Sequence, residues 1–185
     1  MQWKRQLITV VLTMVLTRLV AWSADAPADT AKPTGFRGEF LAQLSDVESK
    51  LVKLAEAIPQ EKYGWRPGEG VRSVSEVFIH VARSNYTLVS MIGVKPPEGL
   101  SRDMEKTITE KTKVLETLKV SFGYLRDVVL KVPDADLGKP AKWFGQETTV
   151  QGVLFSIANH MHEHLGQSIA YARTNGVVPP WSVKE

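Results

Sequence analysis

The chain contains no cysteine in 185 residues. That excludes disulfides, thiolate metal sites and a cysteine nucleophile. It also leaves imidazole as the strongest soft-metal ligand the chain can offer. Other signatures are missing too. There is no phosphate loop, no dinucleotide fingerprint and no Cys-x-x-Cys-His for covalent haem. A bis-histidine haem b stays open. No Glu-x-x-His pair of the di-iron bundle type occurs. The segment His162-Glu163-His164-Leu165-Gly166 lacks the second histidine of a zinc-protease helix. No stretch alternates with a strand period, and no repeat of fixed length appears.

Excess charge is scarce as well. The chain is formally +3, from 23 basic and 20 acidic residues. Lys4, Arg5 and Arg18 precede the first acid, Asp25. Without that leader the balance is even, so the pI near 9.1 is no argument for nucleic acid. The leader itself has the order of a secretory signal peptide. Basic residues come first, then an apolar run from Leu7 to Val20 interrupted by Arg18, then Ala21-Trp22-Ser23-Ala24. The run is short for a spanning anchor. The expected organisation is a signal peptide over 1–23, a flexible tether over 24–35, one helical domain over 36–180 and a tail over 181–185. The expected location is outside the cytoplasm, periplasmic or extracellular, with no membrane attachment after the leader is removed.

Four amphipathic segments fill the domain. Phe40, Leu44, Val47, Leu51, Leu54 and Ile58 recur every three or four residues, and Pro59 ends the run. Ser73-Val74-Ser75-Glu76 fits a capping box ahead of Val77, Val81 and Leu88. A third stripe runs from Met104 through Ile108, Leu115, Leu118, Phe122, Leu125 and Val129 to Val132, with only Lys111 out of character. A fourth follows Thr148-Thr149-Val150-Gln151, a second candidate box, and ends at Asn175-Gly176. Four such helices predict an all-α four-helix bundle. Its connections, 59–72, 93–102 and 133–147, exceed tight hairpins, so one or two helices are expected to cross over. Trp65, Trp143 and Phe144 lie in these connections and are expected to cap one end of the core.

All four histidines fall at two places. His160, His162 and His164 lie within five residues, and His80 lies in the second helix. Val150, Val153, Ile157, His160, His164, Gln167 and Tyr171 form one 3-4 stripe, so two histidines stand where Leu or Ile is expected. An unpaired imidazole on a packed face costs free energy. If helices two and four adjoin, His80 reaches the pair, and three nitrogens can hold one metal with open positions. A strand would align all three clustered histidines, but the surrounding spacing is helical. On a helix His162 turns about 200° from His160. His162 and Glu163 are then candidates for the rim, able to move protons or simply solvated. Gln167 is a candidate to orient a ligand or a metal-bound water. Tyr86 and Tyr171 are candidate pocket walls.

A bundle with one early histidine and His-x-x-x-His-x-Gly-Gln on its last helix resembles the DinB/YfiT-like family. The residues that carry the likeness are His80, His160, His164, Gly166 and Gln167. The Trp65-Arg66-Pro67 segment ahead of helix two and the exit Tyr171 to Gly176 add to it. The resemblance spans about residues 36–180 and implies a three-histidine site for a divalent metal: zinc, nickel, iron or manganese. It further implies a transferase or hydrolase acting on a small-molecule substrate, in a fold whose members often form homodimers. A non-catalytic metal-binding or interaction module is the alternative. Glu163 and Leu165 stand where the family often has His or Arg. An exported chain would also meet little of the cytosolic thiol that the family's transferases use.

Overall fold

The computed structural model describes residues 33–182, so the expected signal peptide, most of the expected tether and the last three residues lie outside the described residues. The long helices are α1 (Gly35–Ala57), α2 (Val74–Thr87), α4 (Lys111–Lys131) and α5 (Val150–Thr174), with a single turn, α3 (Met104–Thr107), before α4. Their apolar stripes face one core. Leu44, Val47, Leu51 and Leu54 of α1 meet Val77, Phe78 and Val81 of α2, Leu118, Phe122 and Leu125 of α4, and Val153, Ile157 and Met161 of α5, all fully buried or within 1% of it. The chain is an all-α four-helix bundle, as its periodicity predicts.

Packing partners reveal the path of the chain. Helices α1 and α2 each pack against both α4 and α5. The consecutive pair α1 and α2 therefore lie diagonally, and so do α4 and α5. Two of the three connections cross the bundle end, which is why they are long. The first is pinned by Tyr63, whose buried hydroxyl donates to Ala55 O at 2.8 Å. It delivers Ser73, whose side chain and Glu76 complete the expected capping box of α2. Helix α2 runs on into a 3₁₀ turn, Leu88–Ile92, and stops at Gly93 with φ +85°.

Several expectations differ from what the structure shows. The third stripe is not one helix. It breaks at Ile108-Thr109-Glu110 between α3 and α4. Lys111 begins α4, and its ammonium donates to Glu56 O at 2.6 Å and Ile58 O at 2.8 Å. It thereby satisfies carbonyls at the end of α1 that the helix itself cannot. The last connection contains a hairpin, β1 (Pro140–Trp143) and β2 (Gln146–Thr149), paired antiparallel. Its turn residues Phe144 and Gly145 both have positive φ, +47° and +89°, the demand of a two-residue hairpin turn that a glycine meets freely. Trp143 packs on the core as expected, but Phe144 at the turn is 73% exposed. Finally, α5 has a simpler cap than a box: Thr149 Oγ1 accepts from Gly152 N at 3.1 Å. At the ends, α1 begins at Gly35, inside the expected tether, and Trp181 sits in a 3₁₀ turn, Pro180–Ser182, inside the expected tail.

Candidate metal centre

Helices α2 and α5 adjoin, and this brings His80 to the α5 pair. The imidazole centroids of His80 and His160 lie 5.2 Å apart, those of His80 and His164 4.7 Å, and those of His160 and His164 4.6 Å. One nitrogen from each of the three rings falls within 4.8 Å of the others. His164 is buried, and His80 and His160 are half-buried.

The outer nitrogens say which atoms face inward. His80 Nδ1 donates to Glu105 Oε1 at 2.9 Å. A carboxylate can only accept, so His80 Nε2 carries a lone pair. His164 Nδ1 lies 2.8 Å from Gln167 Oε1, which places its proton on Nδ1 and a lone pair on Nε2. His160 Nε2 stands 3.2 Å from His80 Nε2. Its Nδ1 is buried without a partner among the described residues. Inward lone pairs at this spacing repel one another unless a proton or a cation lies between them. The observed 3.2 Å matches the nitrogen–nitrogen edge of about 3.3 Å expected for imidazoles bonded to zinc at about 2.0–2.1 Å in a tetrahedral set. The donor set fits a divalent first-row ion.

Behind the histidines stands a second layer of hydrogen bonds. Glu105, on the single turn of α3, accepts from His80 and also from Arg72 Nε at 2.7 Å and Arg83 Nε at 3.2 Å. Burial alone would raise the Glu105 carboxyl, but the hydrogen bonds from Arg72 and His80 outweigh it and hold the group at about 2. It is an anion at any ordinary pH. Gln167, held at Oε1 by His164, donates through Nε2 to Tyr171 Oη at 3.0 Å, and Tyr171 donates to Arg72 O at 3.2 Å. Trp65 packs edge-on against Tyr171 at 5.3 Å. Desolvation by burial, then the neighbouring imidazoles and Arg72, lower His160 to about 4. Burial lowers His80 too, against the opposing hydrogen bond to Glu105. Both rings are neutral, ligand-ready imidazoles near pH 7.

The remaining candidates fall elsewhere. His162 faces α1 and hydrogen-bonds Ala158 O through Nδ1 at 2.9 Å, lining a small groove with Phe36, Phe40 and Phe155. Glu163 is exposed. Tyr86 pairs with Tyr124 at 5.0 Å in a separate cavity with Pro97 and Leu100. Glu105 has no counterpart in the sequence reading. Its segment is polar and its helix is one turn long, so no periodicity marks it.

A family model described as the DinB superfamily matches residues 43–168. Among solved structures, a DinB-like protein from Bacillus cereus is 19% identical, with a TM-score of 0.66, covering 78% of this chain and 95% of that one. The DinB-like protein YjoA from Bacillus subtilis is 20% identical, with a TM-score of 0.59, covering 75% and 92%. YfiT from Bacillus subtilis, described as a probable metal-dependent hydrolase with an unusual four-helix bundle topology, is 17% identical, with a TM-score of 0.60, covering 76% and 88%. A search of curated proteins finds no match.

Proposed function

The chain belongs to the DinB superfamily, and on that premise we propose that it is a divalent-metal-dependent enzyme acting on a small molecule through His80, His160 and His164. The observation that carries this reading is the convergence of one imidazole nitrogen from each of three histidines on two helices, with His80 and His164 each fixed from behind. Between transferase and hydrolase we favour hydrolase. Hydrolysis needs only water as the second reactant, and the structural relative YfiT is described in those terms. The leader supports a further part of the reading, that the domain works outside the cytoplasm, where a thiol co-substrate is scarce.

A divalent ion held by three imidazoles acidifies bound water and polarises a carbonyl or phosphoryl oxygen. The chain's own residues prepare for that. Glu105 fixes the His80 tautomer and makes its Nε2 more basic. Arg72 helps keep Glu105 ionised, so it does not take the His80 proton. Gln167 does the same positional work for His164, and Tyr171 fixes the orientation of the Gln167 amide.

Elemental analysis of purified protein tests the site. About one divalent ion per chain is expected in wild type and a large loss in His80→Ala and His160→Ala. Wild type without stoichiometric metal overturns the reading. Ester and amide hydrolysis with and without metal, beside a thiol-conjugation assay, then separates the reaction types. A metal-loaded protein inert in both is the non-catalytic binder instead.

A further inference from the structure

A cleft of about 960 Å³ borders the histidine cluster, lined by Arg66, Arg72, Arg83, Arg102 and Lys106 together with Glu76, Asp103, Glu105 and Gln167. Two of its walls, Glu105 and Gln167, are the side chains that hold His80 and His164. Five cations face three carboxylates, a formal excess of two positive charges in a domain whose overall charge is even. Pairing inside the cleft leaves much of that charge unused. Arg66 spends its guanidinium on Val71 O and Glu76. Arg72 and Arg83 each engage Glu105 through Nε alone. Their four terminal amino groups have no partner among the described residues. Arg102 and Lys106 form no ion pair among the described residues either.

The arrangement differs from a solvated charged surface in one respect. Arg83 is largely buried, with its side chain 18% exposed, and Glu105 is 13% exposed. The shared carboxylate holds both guanidinium groups from the Nε side and leaves their planar forks unpaired. Such forks bind carboxylate and phosphate oxygens bidentately. We propose that this cleft binds an oxyanion group, phosphate or carboxylate, of the small molecule on which the site acts. The proposal rests on the metal-centre reading only for the last clause. The anion-binding property stands on the cleft itself. Arg72 and Arg83 fix the position of the charge, and the exposed Arg102 and Lys106 line the same cleft and add to its field. A nucleic-acid backbone is a poorer fit, since the cations are confined to one cleft and form no stripe.

The test is calorimetric titration of inorganic phosphate and of succinate, at low salt, into protein whose metal content has been measured. Chelator-treated protein is run alongside, because phosphate can also bind a metal directly. We expect saturable one-site binding of at least one probe in both forms, weakening as salt rises. The double variant Arg102→Ala/Lys106→Ala should lose tenfold or more in affinity while its metal content stays at the wild-type level. Saturation by phosphate alone assigns a phosphoester, by succinate alone a carboxylate. Equal affinity in wild type and double variant, or saturation by neither probe, overturns the proposal. Metal without anion binding sinks the cleft alone. Anion binding without metal sinks the metal centre alone.

Discussion

Replacing Glu105 with Gln separates the two things its carboxylate does. The amide oxygen can still accept from His80 Nδ1, but the charge that binds Arg72 and Arg83 is gone. If His80 holds a metal, affinity should fall about 10- to 100-fold, the usual cost of mutating a residue that supports a ligating histidine. Competition with a chromogenic chelator reads this directly, and an unchanged affinity would show that Glu105 does not support the site. His160 supplies a second expectation, for chelator-treated protein. Its pKa is lowered by burial to about 4, whereas an unfolded histidine titrates near 6.5. Between those values the unfolded chain binds the extra proton and the folded one does not. Stability from this group is therefore present above pH 6.5 and declines as pH falls toward 4. Thermal melts across that window should show the decline, and it should shrink in His160→Gln. At this scale the sequence was a good guide to which histidines converge and a poor one to what holds them. His160 and His164 announce themselves by interrupting an apolar stripe. Glu105 interrupts nothing, and its contact with His80 exists only once α3 docks beside α2.

Lys111 shows how an element boundary can hide inside a regular pattern. The stripe from Met104 to Val132 keeps its spacing across the break, so periodicity reads one helix where there are two. The single discordant residue was the signal. Its ammonium ties the start of α4 to the end of α1. Lys111→Met keeps the apolar stem and removes both hydrogen bonds, and should lower stability by about 1–2 kcal/mol in urea unfolding. No loss would mean that water replaces the ammonium at no cost. The hairpin was invisible for a different reason. Its strands are four residues each and half exposed, too short and too polar to alternate. Gly166 is the opposite case, a residue marked by the sequence that the bundle does not explain. It lies within α5, exposed, and an added Cβ would meet nothing within 4 Å. Gly166→Ala should raise stability by about 0.5–1 kcal/mol through helix propensity. A loss of stability or of metal in that variant would show that the position needs its bare backbone.

The whole molecule meets at the histidine cluster, because its three imidazoles sit on helices far apart in sequence. An ion bound only by the folded bundle adds stability by mass action, about 2.7 kcal/mol at a hundredfold excess over its dissociation constant. Chelation should therefore lower the melting temperature of wild type, and the difference should vanish in His80→Ala. Bundle membership was legible from four stripes. Which helices adjoin was not, because stripe faces do not encode order around a bundle. The long connections hinted at crossing over, and both diagonal steps follow from where α1 and α2 find their partners. The expected signal peptide adds one more measurable statement about the intact chain. Mass spectrometry of the mature product should find the segment from Leu7 to Val20 removed.

The diagonal path also sets a timetable. His80 and His160 touch across 80 positions of chain, and two of the three imidazoles belong to the last long helix. A growing polypeptide has nothing resembling a binding site until that helix has emerged and docked. On the proposed reading, the ion would be drawn from the pool present where folding finishes. Three imidazoles alone discriminate weakly among first-row ions, so the place of folding becomes part of what decides the metal.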